Sequence, residues 1–393
     1  MEPPPPASRG TGTVFLVVAA TLALKLIVLA QLHDHPLLQP TGQLDTAVYV
    51  NLGRRVAAGD FRLGSEPYFL APLYAYFLGL VFAFSGGSLL AARAVQVVLG
   101  TMAVGLVYAT TCRWFEGRSR LSAALLLAGA GIVSFYEVTL LQASLDPFLT
   151  ALALFLLARA LPEGGPRRFG AAGLGLGLLA LNRPNALVFA PVLVVLLLLS
   201  RGRGWVRTAA FVAGIGLALA PTTVRNWAVS GQPVLISSHG GLNFYIGNRA
   251  GADGTYRRIP GITPDIAGQA GDAQRVAEAA RGRSLTAGEV SAYFLGLAAE
   301  WMRAHPGDAL ALLLRKMAYL LSDAEISLNH SYTYYARDEP TLLRFLVVGP
   351  WLLVPLGVFG LGARLLERKG DGFALWASFL PVYGLSVAVF FVT

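Results

Sequence analysis

Long apolar runs broken by short polar turns set the pattern of this chain. They fall at about 13–31, 68–85, 88–112, 119–135, 145–161, 169–182, 185–200, 206–222, 342–362 and 371–393. A helix needs roughly 20 apolar residues to span a bilayer. Several runs are shorter, so those spans must tilt or thin the membrane. In lipid every backbone group must pair internally, which makes the spans helices; the alternating pattern of barrel strands is absent. The pattern therefore predicts an all-α polytopic membrane protein. Between 223 and 341 it changes. The stretch GQPVLISSHGGLNFYIGNRAGADGTYRRIPG reads as ordered loop, with Gly240-Gly241 and Gly247-Asn248 supplying turns. Polar helices are predicted at about 271–283 and 286–305. The run ALALLLRKMAYLLS (309–322), with Arg315 and Lys316 at its centre, should lie along the membrane interface.

Charge supplies the orientation. Basic clusters at Arg113, Arg118 and Arg120, at Arg167 and Arg168, at Arg201, Arg203 and Arg207, and at Arg364, Arg368 and Lys369 mark cytoplasmic loops. With a cytoplasmic tail at 1–12, an even number of crossings must precede Arg113, yet three runs do. The run 68–85, rich in aromatics and carrying Pro72, is the one expected to be interfacial or re-entrant on the outer side. The expected organisation is then a tail (1–12), a module of seven spans (13–222) with an outer loop at 32–87, a non-cytoplasmic region (223–341), and C-terminal spans (342–393). The chain stops at Thr393 inside an apolar run without a polar flank, which points to a truncated chain.

Composition agrees with this class. Of 393 residues, 55% are hydrophobic and only 13% charged, too greasy a balance for a soluble globule. The net charge of +9 needs no nucleic acid to explain it, because inner loops of membrane proteins are basic. Cys112 stands alone, so no disulfide forms within the chain.

Against this background, carboxylates at one membrane surface suggest chemistry. The topology above places Asp45, Glu137 and Asp146 together on the outer face. Asp45 opens DTAVYVNLGRRVAAGD, where Val48, Leu52 and Val56 share one face of a short helix; it suits a cap as well as a catalytic base. Asp146 with Pro147 reads as a helix start, and Glu137 as a solvated outer-loop carboxylate or a catalytic acid. Arg183, in ALNRPNAL, and Arg225, in PTTVRNWAVSG, run against the inside bias and call for an anion, either a protein carboxylate or a lipid phosphate. His239, His305 and His330 lack the helical spacing of metal ligands, so the metal is unknown and a divalent ion is the one cofactor left open. No phosphate-cradling GxxxxGK motif occurs.

Taken in order, several short motifs resemble GT-C-type membrane glycosyltransferases: the protein O-mannosyltransferases, the lipid A aminoarabinose transferases and the bacterial family called RgtA/B/C/D-like. They are Asp45 with Tyr49, APLYAYFLG (71–79), RAVQVVLG (93–100), SFYEVTLLQASLDP (134–147), NRP (182–184) and RNWAVSGQPVLISSHGGLNFYIGN (225–248). The resemblance implies a GT-C helix bundle that takes a sugar from a polyprenyl-phosphate donor on the periplasmic or lumenal side. It carries the acceptor-deprotonating acid over to Asp45, and a second acidic site to Asp146 and with it Glu137. Tyr49, Arg183, Arg225, Asn226, His239, Asn243 and Tyr245 are the residues expected to bind substrate. The partners implied are the lipid-linked donor, membrane lipids, and a glycan, lipid or protein acceptor at a bacterial inner membrane. Two other classes stay open. A flippase or transporter of lipid-linked sugars would line a mid-membrane path with charge, and a non-catalytic scaffold would not depend on the acids.

Overall fold

The apolar runs fold as helices, and glycine decides how closely they approach. A computed structural model describes residues 8–42, 45–161, 164–199, 204–367 and 372–392. The first half comprises α1 (Ser8–Leu32), α2 (Asp45–Ala57), α3 (Leu73–Ser85), α4 (Leu89–Trp114), α5 (Ser119–Ala128), α6 (Gly131–Val138), α7 (Asp146–Ala160), α8 (Pro166–Asn182), α9 (Phe189–Leu199) and α10 (Gly204–Ser230). Then follow α11 (Gly240–Gly247), α12 (Ile266–Arg281), α13 (Ala287–Ala304), α14 (Pro306–Leu321), α15 (Tyr332–Arg337), α16 (Pro350–Leu366), α17 (Phe373–Ala377) and α18 (Phe379–Ala388). Among the described residues there is no strand, only an isolated antiparallel bridge between Ala130 and Val347. The fold is all-α.

Three helical stretches, Gly12–Leu32, Leu89–Trp114 and Gly204–Ser230, are long and apolar enough to cross a membrane. Around them pack shorter helices. α8 lies against α10 through a stripe of small residues: a Cβ at Gly173 would sit 1.9 Å from the Phe211 carbonyl oxygen, and one at Gly214 2.1 Å from that of Gly170. Backbones can meet this closely only without side chains, which is how helices associate where water gives no driving force. α2 and α3 form a hairpin by the same device, with Gly53 under Leu78 and Gly79 under Val56. At 13 residues, α3 extends about 20 Å, less than the roughly 30 Å hydrocarbon core.

Several expectations need correction. The run 119–135 is not one span: the chain breaks between α5 and α6, where Gly129 accepts from Val348 N and Gly131 lies under the Tyr332 hydroxyl and the Leu346 carbonyl. The stretch read as loop contains α11, and Gly241 and Gly247 serve packing rather than turns. A Cβ on either would collide with a backbone carbonyl, of Ser291 and Phe390 respectively. The run 371–393 is likewise divided, between α17 and α18. Arg201, Arg203, Arg368, Lys369 and Thr393 lie outside the described residues.

Candidate active site

Helix ends bring the site together. α7 starts at Asp146 because Pro147, locked near helical φ and lacking an N–H, suits a first turn. α8 stops at Asn182 because Arg183 precedes Pro184 and is forced extended (φ −130°, ψ 91°). The two helices run antiparallel, so the start of one meets the end of the other. Asn182 Nδ2 donates to Asp146 Oδ1 (2.7 Å) and to the Gln142 carbonyl (3.0 Å). Arg183 Nε donates to Asp146 Oδ2 at 2.6 Å. The pair is reachable from solvent, with 32% of the Arg183 side chain and 25% of the Asp146 side chain exposed. Both terminal nitrogens of Arg183 are without a hydrogen-bond partner among the described residues.

Asp45 arrives at the same end from α2. One turn on, Tyr49 is buried and its hydroxyl donates to Gln142 Oε1 at 2.7 Å, tying α2 to the turn before α7. Tyr49 feels the charges of Arg183, Asp45 and Asp146 together. Asp45 is the first residue of α2, and its Oδ2 accepts from Asn329 Nδ2 at 2.8 Å. Burial raises the Asp45 carboxyl above its ordinary value; the Asn329 hydrogen bond pulls it back, and the negative field of Asp265 adds to the rise. The loop that delivers Asp45 is held by Arg93, wholly buried in α4, whose guanidinium donates to the carbonyls of His33 (2.7 Å), Leu38 (2.8 Å) and Val138 (2.9 Å).

At the other end of α7, Arg113 donates to the Leu161 carbonyl at 3.0 Å, and Arg364 Nε to that of Trp114 at 3.4 Å. Two of the basic clusters thus sit opposite the end that holds Asp45, Asp146 and Arg183.

Glu137 does not join them. It lies in α6, fully buried, with both oxygens accepting from Lys25 Nζ at 2.5 and 2.6 Å. The solvated or catalytic carboxylate expected there is an ion pair inside the bundle, formed because α6 packs on α1 and Gly100 of α4 leaves room for the acid.

Arg225 is also committed. Nε and Nη2 donate to the Arg62 carbonyl, Nη2 to that of Gly64 (2.9 Å), and Nη1 to that of Glu66 (2.5 Å) and to Asn226 Oδ1 (3.2 Å). The guanidinium also covers the Tyr68 ring at 4.1 Å. A guanidinium has five N–H donors, and all are used on the protein, so none remains for a phosphate. Asn226, buried beside it, accepts from Tyr68 N and donates to the carbonyls of Val234 and Ile236. Both residues hold the 62–68 loop in place. Arg225→Ala should therefore cost about 1–3 kcal/mol of stability and speed amide exchange through residues 62–68. Unchanged exchange there would contradict this assignment.

His239, Asn243 and Tyr245 lie on or beside α11. Asn243 Nδ2 donates to His239 Nδ1 (3.2 Å), which leaves Nε2 protonated to donate to Gln269 Oε1 (2.8 Å). Burial pushes His239 down to about 4 against the opposing effect of that bond, so the ring is neutral at ordinary pH. Gln269 also contacts the Tyr256 hydroxyl, which feels Asp45, so this group borders the Asp45 end. Tyr245 packs on Phe294 with ring centroids 5.6 Å apart. Among the described residues no three His, Cys, Asp or Glu side chains converge as metal ligands. Gln142 and Asn329 were not singled out in the sequence, and Asn182 only as part of the NRP motif, since a lone amide carries no charge to mark it.

Residues 66–227 match the family model described as dolichyl-phosphate-mannose-protein mannosyltransferase. The matched segment contains Asp146, Asn182 and Arg183 but not Asp45. No curated protein matches. Among solved structures, the crystal structure of ArnT from Cupriavidus metallidurans bound to undecaprenyl phosphate is similar over 97% of this chain and 77% of that one, at 16% identity and a TM-score of 0.48. The family match, which covers less than half of the chain, agrees with the resemblance read from the sequence, and the long apolar helices are those of a polytopic membrane protein.

Proposed function

We propose that the protein transfers a sugar from a polyprenyl-phosphate donor to an acceptor at the extracytoplasmic face of a bacterial inner membrane, with inversion at the anomeric carbon. One observation carries this reading: Asp45 and the Asp146–Arg183 pair share one solvent-reachable end of the bundle, away from Arg113 and Arg364. A lipid-linked donor cannot leave the bilayer, so its phosphate must be met at the surface. Basic loops favour the cytoplasm, which assigns the acidic end to the opposite side, with 32–87 and 223–341 as outer regions.

Asp45 takes the proton of the acceptor hydroxyl as that oxygen bonds to the anomeric carbon. The bond from that carbon to the phosphate oxygen breaks, and polyprenyl phosphate leaves with the electron pair. Arg183, with its free terminal nitrogens, meets the charge gathering on that phosphate. Asp146, itself held by Asn182, fixes Arg183, and Asp146 is the acid available should a divalent ion take part. The flippase alternative gains nothing from the interior charges, because Lys25 and Glu137 close on each other with 1% and 0% exposure and line no path.

The test is turnover by the purified full chain in lipid nanodiscs, offered a panel of radiolabelled polyprenyl-phosphate hexoses and pentoses. At least one donor should release polyprenyl phosphate, and Arg183→Ala should slow that release about 10²–10³-fold. Equal turnover by the Arg183 variant would remove it from the reaction, and no turnover of any donor would overturn the transferase reading.

A further inference from the structure

α14 leaves an apolar arc uncovered. At about 100° per residue, Leu310, Leu314 and Leu321 fall on one flank, and they are 58%, 61% and 52% exposed. Leu312 and Lys316 face the interior. Round the helix from the leucines, past Ala311, come Arg315 and then Asp308. These border a groove of about 380 Å³ that α14 forms with α13 and the turn at 249–252.

Arg249, Arg315, Trp301 and His305 line this groove, with Asp308 as the acid among its walls. Trp301 and His305 stack, with centroids 6.1 Å apart and planes at 22°. Arg249 is fixed by its own backbone surroundings, donating to the carbonyls of Ala250 (3.1 Å) and Arg258 (2.9 Å), while its Nε is buried without a partner. Among the described residues neither Arg249 nor Arg315 forms an ion pair, and Arg315 has no hydrogen-bond partner. Two guanidinium groups outside any ion pair, against the single carboxylate of Asp308, therefore stand beside exposed leucines and an indole.

We propose that this groove binds the phosphate of an anionic membrane phospholipid, whose acyl chains lie along the leucine flank of α14. Guanidinium groups grip phosphate with paired N–H donors, a tryptophan suits the headgroup level, and an amphipathic helix with a charged edge lies in the bilayer surface. The charge identifies the occupant as anionic, and the apolar arc continuous with the groove identifies it as a lipid. The site rests on membrane embedding and not on the transfer reaction.

The full chain, purified in detergent, is titrated with phosphatidylglycerol and with phosphatidylcholine and read by native mass spectrometry. Phosphatidylglycerol should be retained in preference. Arg315→Gln should weaken it roughly five-fold, the effect of one cation near a lipid headgroup, and Asp308→Asn should strengthen it. Arg303→Gln, at an exposed position on α13 outside the groove, should leave it unchanged. Equal binding of the two lipids, or an equal loss with Arg303→Gln, would overturn the site. Displacement of the lipid by inorganic phosphate at matching concentration would overturn its lipid occupant.

Discussion

Asp45→Asn should lower sugar transfer by about 10²–10⁴-fold, the contribution of a well-placed general base, while leaving the protein folded. Asparagine keeps the shape of the side chain and a contact to Asn329 but cannot accept the acceptor's proton. Because burial lifts the Asp45 carboxyl, the base fills with protons at a higher pH than an ordinary aspartate. Transfer in the parent protein should therefore rise with pH through that lifted range. Asn329→Ala removes a hydrogen bond that favours the ionised form and should move the rise to higher pH. Asp265→Asn removes a repelling charge and should move it lower.

Stability runs the opposite way. A carboxyl whose folded pKa is raised favours the fold most when protonated, and that contribution is lost as pH climbs through the folded value. Asparagine is free of this loss, so the Asp45→Asn variant should melt no lower than its parent at neutral pH. Kinetics and a thermal melt of the same samples separate catalysis from folding. A variant that transfers sugar at the parental rate would end the role given to Asp45.

Much of this end of the molecule could be read from the chain because its signals are local. The pair Asp146-Pro147 starts a helix, Asn182-Arg183-Pro184 ends the next, and two antiparallel helices must then place those residues side by side. Features set by distant partners were hidden. Glu137 looks like any outer-loop acid until Lys25, 112 positions away, is brought against it. Arg225 looks like a phosphate ligand until the carbonyls of 62–66 turn toward it. The break between α5 and α6 lies within an unbroken apolar run, and its cause is the approach of segments more than two hundred positions away. Gly241 and Gly247 are turn-formers by composition, yet the packing of α13 and the segment after α18 gives them helical duty. Asn329 reaches Asp45 across 284 positions, a contact that no pattern of charge or periodicity announces.

The Lys25–Glu137 pair should produce the largest effect on stability. Lys25→Met leaves a carboxylate buried at 0% exposure without its cation, and breaking such a pair typically costs about 3–5 kcal/mol. Glu137→Met strands the ammonium at comparable cost. Replacing both should restore most of the loss, since a buried ion pair gains little over apolar groups of similar size. Gly100→Ala probes the same place from α4, as its new Cβ would lie 1.8 Å from Glu137 Oε1. The readout is unfolding in mixed micelles for the parent, both single variants and the double variant. Single variants as stable as the parent, or a double variant weaker than either, would refute the pairing. Its position also connects it to activity. α1 leads into the loop that presents Asp45, and α6 leads through Gln142 to Asp146. An ion pair between these helices fixes the spacing of the two halves of the site. Sugar transfer should accordingly fall with either single substitution and recover with the double, although none of the substituted residues touches the substrate.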